Sequence, residues 1–372
     1  MRTQPTSSAG TRKPTRRAEV GRGERVIPGV WRLRLPLPWP GVPHCNAWAL
    51  AAGDGIVLVD CGMDTPGSLR HLERALEQVG LRLEQVRLLV CTHAHVDHCG
   101  QAAAVQERAG CELWIHPRRQ HLAAQSDAPA AALARAIEVA RQSGVPEAPL
   151  QEWAEGRRGA DTGMSGPLAP ARDLLPGVVA ETDLGAWQVL ETPGHAPSHV
   201  VLHQPEHRLL LSGDHVLGRI SLYFDHGWTP DPVGEFLDAL DRVEPLDVRL
   251  TLSGHGRPFT DLRGHIEGNR ALVRERLDAV LAALSSRGEA TAFELLPDVY
   301  GEKLMPATAA WLLTKMLCYL EHLEAQGRAA HNEGEPQRWR AAEEAVSEVG
   351  TPADGRLDLA ADADRRADRL GR

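Results

Sequence analysis

Cys91-Thr92-His93-Ala94-His95-Val96-Asp97-His98 places four metal-ligand side chains within six residues. It follows the continuous apolar run Leu88–Cys91, as expected of a strand buried on both faces, and it precedes a helix expected from about Gly100 to Arg108. Three imidazoles and a carboxylate in one such turn are costly to desolvate unless a cation coordinates them. In an extended segment His93 and His95 point the same way and can grip one metal, while the turn into the helix carries Asp97 and His98 toward a second position. The bland alternative is a polar surface loop that happens to be rich in histidine.

Three segments further along the chain argue against that alternative. Thr192-Pro193-Gly194-His195, Ser212-Gly213-Asp214-His215 and Ser253-Gly254-His255-Gly256 each follow an expected strand and set a metal-ligating side chain beside a glycine. Strand ends of a layered α/β sheet converge on one rim, so ligands distant in sequence can meet there. Five histidines and two aspartates suffice for two adjacent divalent ions. The surrounding pattern supports the layering. A strand at Val30–Leu35 and a hairpin of Ala47–Ala51 with Ile56–Asp60 come first. A helix opened by Asp64-Thr65-Pro66 and closed by Gly80 follows, then the strands Leu88–Cys91 and Glu112–His116. Trp187–Glu191, Val200–His203, Leu209–Leu211 and Arg249–Leu252 read as later strands, with helices at Val233–Val243 and about Leu262–Leu284.

With these residues in place the chain resembles the metallo-β-lactamase-fold hydrolases. The family pattern His-x-His-x-Asp-His, then a distant His, an Asp and a final His, is met by His93, His95, Asp97, His98, His195, Asp214 and His255. The resemblance covers about Val26–His265 and implies a four-layer αββα sandwich of two mixed sheets. It implies that His93, His95 and His195 hold one metal and Asp97, His98 and His255 the other, with Asp214 bridging. Asp60 matches the early aspartate that buttresses the metal loop; a plain strand-end cap is its alternative. The order of motifs is similar to the lactamase-β-2-like branch, with Val216-Leu217-Gly218 after the bridging aspartate. That branch has a Gly-His-Gly before a long helix and ends in a small C-terminal winged-helix-like helical domain. Its implied activity is single-strand-specific endoribonuclease.

The expected organisation is therefore a disordered tail over 1–24, a hydrolase domain over 25–266 with a helical and irregular insertion at 117–180 that could act as a lid, a winged-helix-like domain over 267–331, and a disordered acidic tail over 332–372. Lys+Arg is 41 against Asp+Glu 50, a net charge of −9, so no global field attracts phosphate backbones. Residues 267–331 hold nine acidic and seven basic side chains, a poor footprint for nucleic acid. Hydrolysis of a small-molecule ester, thioester or lactone is accordingly favoured over the ribonuclease reading. Two metals can share a hydroxide as nucleophile and polarise the scissile group, with Asp97 orienting that nucleophile or shuttling its proton. Zinc suits the imidazole-rich set best, and a bridging carboxylate also suits iron or manganese. His199, four residues after His195, is a candidate outer partner of a ligand. Tyr223, Phe224 and Trp228 could line a pocket or serve as core. No run approaches the ~20 apolar residues of a membrane span, and six cysteines make no disulfide scaffold, so a cytoplasmic location is expected. A homodimer is a further implication of the resemblance, with the end module as one candidate contact.

Overall fold

The structure is a computed structural model that describes residues 20–39, 41–301 and 306–342. Its first sheet orders β1 (Arg22–Ile27), β2 (Val30–Trp39), β3 (Val42–Ala52), β4 (Gly55–Val59), β5 (Val86–Cys91), β6 (Glu112–Ile115) and β7 (Arg172–Asp173) side by side. The first four are antiparallel neighbours, and from β4 onward the pairing is parallel. The second sheet runs β8 (Val179–Thr182), β9 (Gly185–Glu191), β10 (Val200–Gln204), β11 (Leu209–Gly213) and β12 (Leu250–Ser253), antiparallel except for the parallel β11–β12 pair.

Side-chain alternation explains why the two sheets stack. On β4, Ile56 and Leu58 face one core while Val57 and Val59 face another. The second of these cores lies between the sheets, where Trp48, Val57, Val59 and Val90 meet Trp187, Val189, Leu202 and Leu211. Outside the first sheet pack α1 (Ser68–Glu77) and α3 (Ala102–Ala109), which follows the single-turn α2 (Val96–Cys99). Helix α1 buries Ser68, Leu72, Ala75 and Leu76, the spacing of one helical face. Each buried leucine there contributes roughly 1.5–3 kcal/mol. Outside the second sheet, Val201 and Leu210 join a third core with α7 (Pro232–Val243) and α8 (Leu262–Arg287). Helix, sheet, sheet and helix are the four layers of the expected sandwich.

The insertion contains α4 (Gln120–Ser126), α5 (Pro129–Gln142) and α6 (Glu147–Glu155) before it enters β7 and β8. Ala140 of α5 and Leu150 of α6 belong to the third core, so these helices pack with the C-terminal region. That region comprises α9 (Ala292–Tyr300), α10 (Pro306–Ala325) and the hairpin of β13 (Ala329–His331) with β14 (Trp339–Ala341).

Three boundaries differ from the sequence expectation. Ordered chain begins before residue 25, because Arg22, Gly23 and Glu24 pair with β2 and Glu24 accepts a 2.8 Å bond from the buried Arg32. Gly21 and Gly23 lie against the backbone of α1 where a Cβ would collide, so this strand needs glycines rather than the aliphatics that signal a strand. The boundary at 266/267 falls inside α8, which is continuous, and α9 and α10 share one core with the second sheet. At the far end, Trp339 is buried and exchanges backbone hydrogen bonds with Ala290, so chain expected to be tail is strand. The remainder of both expected tails, 1–19 and 343–372, lies outside the described residues.

Candidate metal centre

The first half of the site forms where β4 and β5 end. Asp60, the residue after β4, has φ +61°, a conformation that aspartate tolerates better than most side chains. Its carboxylate accepts from the Thr92 backbone N–H at 2.8 Å, from the Thr92 hydroxyl at 3.0 Å, and from His98 Nδ1 at 2.8 Å. The Thr92 hydroxyl, having donated to Asp60, accepts from His93 Nδ1 at 3.0 Å. One buried carboxylate thus fixes both rings, leaving the Nε2 lone pairs of His93 and His98 facing inward.

The second sheet supplies the other half from its strand ends: His195 after β9, Asp214 after β11 and His255 after β12. His195 Nδ1 donates to the Tyr223 carbonyl at 3.2 Å, and His255 Nδ1 donates to the His44 carbonyl at 2.9 Å. Each ring therefore also presents Nε2 to the centre. The ligand-capable atoms of His93, His95 and His195 lie within 4.8 Å of one another, as do those of Asp97, His98 and His255, and those of His93, His98 and Asp214. Asp214 touches both halves, 3.7 Å from His195 Nε2 and 3.2 Å from His255 Nε2. All seven residues singled out in the sequence converge here.

The donor atoms are suited to metal binding on physical grounds. His93 Nε2 is buried without a hydrogen-bond partner, which costs about 1–3 kcal/mol, and His98 Nε2 and Asp214 Oδ1, also buried and making no hydrogen bond, stand 3.5 Å apart. His195 Nε2 and His95 Nδ1 face each other at 3.0 Å. Both carry lone pairs, because their opposite nitrogens are the donors, so they repel unless a proton or a cation stands between them. Without metal, protons take that place. Burial pulls His255 down, but Asp214 and Asp97 outweigh it and carry the ring up to about 10. Burial likewise opposes the charge on His98, and Asp97, Asp214 and Asp60 raise it well above the ordinary value. His93 is held neutral by burial and by neighbouring imidazoles. Burial and His95 bring His195 down to about 4.

Close backbone packing makes the convergence possible. Gly254 donates to the Gly213 carbonyl at 2.7 Å and accepts from the Asn46 N–H at 2.7 Å, joining β3, β11 and β12 at one point. A Cβ on Gly254 would strike Asp214 Oδ1 and the His98 ring.

His199 lies outside the ligand set yet touches it. Its Nδ1 is 2.8 Å from the Thr192 hydroxyl, and its Nε2 accepts the Asp214 backbone N–H at 3.0 Å. His203, His207, His215 and His226 are not brought into the clusters. The sequence reading missed Asp225, whose Oδ2 lies 2.8 Å from His95 Nε2, and His121 of α4, 3.8 Å from the same oxygen. His95, His121 and Asp225 also bring ligand-capable atoms within 4.8 Å. Neither residue sits in a ligand-spaced motif; the only signal was their position in the insertion and shortly after Asp214. Phe224 is core, packed on Phe236 and Tyr319, while Tyr223 stands beside His95 and His195.

A family model described as the metallo-beta-lactamase superfamily matches residues 40–255. The chain is similar to the probable metallo-hydrolase YqjP of Bacillus subtilis (strain 168), 28% identical over 296 residues that cover 74% of this chain and 87% of that protein. It is also similar to the atrochrysone carboxyl ACP thioesterase of Claviceps purpurea (strain 20.1), 25% identical over 298 residues and 78% of each chain. Among solved structures, a metallo-beta-lactamase family protein from Thermus thermophilus superposes with a TM-score of 0.73 and 27% identity, covering 85% of this chain and 100% of that one.

Proposed function

Because the chain belongs to the metallo-beta-lactamase superfamily, we propose that it is a binuclear metal-dependent hydrolase that cleaves a small-molecule thioester, ester or lactone. The observation that carries this reading is the convergence of buried ligand-capable atoms at the ends of both sheets, His93 Nε2 among them with no hydrogen-bond partner. In it His93, His95 and His195 would hold one ion and Asp97, His98 and His255 the other, with Asp214 within reach of both sets. The imidazole-rich set favours zinc, with iron or manganese as alternatives. When bound, such ions supply Lewis acidity and a water that ionises near neutral pH.

The chain's own groups do the rest. Asp97 Oδ2, 3.2 Å from His255 Nε2 and 3.4 Å from His98 Nε2, is placed to accept and return a proton at the centre. Asp60 and His199 hold the ligand side chains and the Asp214 backbone still. The acyl preference is supported by the thioesterase name of the Claviceps purpurea relative and by the acidic chain, which offers polyanions no general attraction. The six cysteines are free and buried, which supports a reducing, cytoplasmic setting, and no helix among the described residues is long and apolar enough to cross a membrane.

The test is a panel of acyl thioesters, esters, lactones and single-stranded RNA, offered to the metal-loaded protein and to Asp97→Ala. Thioester turnover that disappears in the variant is the expected result. RNA cleavage that disappears in the variant, with no acyl turnover, would reverse the assignment to the ribonuclease alternative.

A further inference from the structure

We propose that Asp225 is a positioning residue for the metal centre, holding His95 by its outer nitrogen, and that α10 in turn holds Asp225. This rests on the binuclear reading above and deepens it. Asp225 is nearly buried, and its carboxylate takes the His95 Nε2 proton at 2.8 Å. A ring held in this way presents only Nδ1 to the centre, because the proton is fixed on the far nitrogen and the ring plane is fixed by the bond. The same short segment orients a second ring. His195 Nδ1 donates to the Tyr223 carbonyl, and the Asp225 N–H donates back to the His195 carbonyl at 3.2 Å. Tyr223 and Asp225 thereby control two of the three imidazoles in the first cluster.

What keeps that segment in place comes from α10, which lies beyond the residues matched by the family model. Between Tyr223 and Asp225, the ring of Phe224 is driven into the core, 5.9 Å from Tyr319 and 5.5 Å from Phe236. The Cys318 thiol reaches the Phe224 carbonyl at 3.9 Å. Next along the chain, His226 Nε2 meets Glu321 at 2.8 Å, and Asp231 meets His322 Nδ1 at 2.9 Å. Four residues within five positions of α10 therefore fasten residues 224–231. This explains why the C-terminal region shares a core with the hydrolase sandwich instead of forming its own. Its contribution is to brace the loop that braces the ligands.

Cobalt(II) loaded into the full-length protein is the probe, read by its visible absorption and by competition with a chelator, without any substrate. Asp225→Ala should weaken one of the two ions by about 10- to 100-fold and change its absorption band. Asp225→Asn keeps an oxygen acceptor and should recover most of the loss. Tyr319→Leu, with folding confirmed by circular dichroism, should weaken the same ion by a smaller factor. Wild-type affinity and an unchanged spectrum in Asp225→Ala would overturn the proposal. So would a third equivalent of cobalt lost in His121→Ala, since Asp225 would then be a ligand. If Tyr319→Leu lowers stability but leaves cobalt affinity at wild type, the α10 half of the proposal fails. These readouts are independent of turnover, so an incorrect substrate class leaves them untouched, whereas a single ion per wild-type chain would sink the binuclear reading itself.

Discussion

At the scale of single residues, the centre depends as much on what is absent as on its donors. Gly254→Ala should abolish most metal binding and activity, because its Cβ would strike the Asp214 carboxylate and the fully buried His98 ring. Gly256, two positions on, has φ +78° but open space around it; alanine there should cost about 1–2 kcal/mol of stability and leave bound metal unchanged. Elemental analysis beside chemical denaturation separates the two. His199→Ala removes the acceptor of the Asp214 N–H and should weaken metal about 10- to 100-fold; a chelator titration indistinguishable from wild type would refute that role. Most of this level was legible in advance. Histidines and aspartates at strand ends advertise themselves, since few other uses justify their desolvation. Asp225 and His121 were not legible, because a residue that reaches the site through another's ring needs no motif of its own.

At the scale of elements, the strands were read well and the ends of the chain poorly. Val57-Leu58-Val59 and Leu209-Leu210-Leu211 declare burial on two faces by composition alone. Strand β1 gives no such sign, because it is an edge strand stapled by Arg32–Glu24 and by glycines lying on α1. The helix opened by Asp64-Thr65-Pro66 begins at Ser68, after Gly67 takes φ +86°, since the polar turn is spent on a bond from the Ser68 hydroxyl to Asp64. Helix α9 offers a clean test of local against functional effects. Thr291 and Glu294 form a reciprocal cap, with bonds of 3.2 and 2.8 Å. Thr291→Ala should cost about 1 kcal/mol in a urea titration, while turnover per folded molecule stays at wild type. A loss of turnover in the folded variant would mean that α9 reaches the site in a way its contacts do not show.

At the scale of the whole molecule, protons and metal compete for one cage. A histidine whose folded-state value is raised contributes its full stabilisation below the ordinary imidazole value of about 6.5, and loses it as the pH rises through the folded value. For His255 that loss runs to about 10. Burial opposes the charge on Asp97 and Asp214, but His98 and His255 hold both below the usual carboxylate range. Their contribution is present above about pH 4 and lost in stronger acid. The metal-free protein should therefore gain most from these groups between about pH 4 and 6.5. His98 and His255 would have to give up their protons to serve as ligands, so metal affinity should climb as the pH rises from neutrality. Calorimetry in buffers of different ionisation enthalpy should register released protons; none released at pH 7 would contradict the cage described here. The sandwich carries a last consequence in the order of its own synthesis. The bond from His255 Nδ1 to the His44 carbonyl spans 211 positions, so the cluster of Asp97, His98 and His255 cannot close until that much chain has been made. At about 5–20 residues per second, the His93–His98 turn waits on the order of 10 s for its last partner. For that interval a newborn chain displays an open claw of imidazoles, and only a chain translated as far as His255 can complete it.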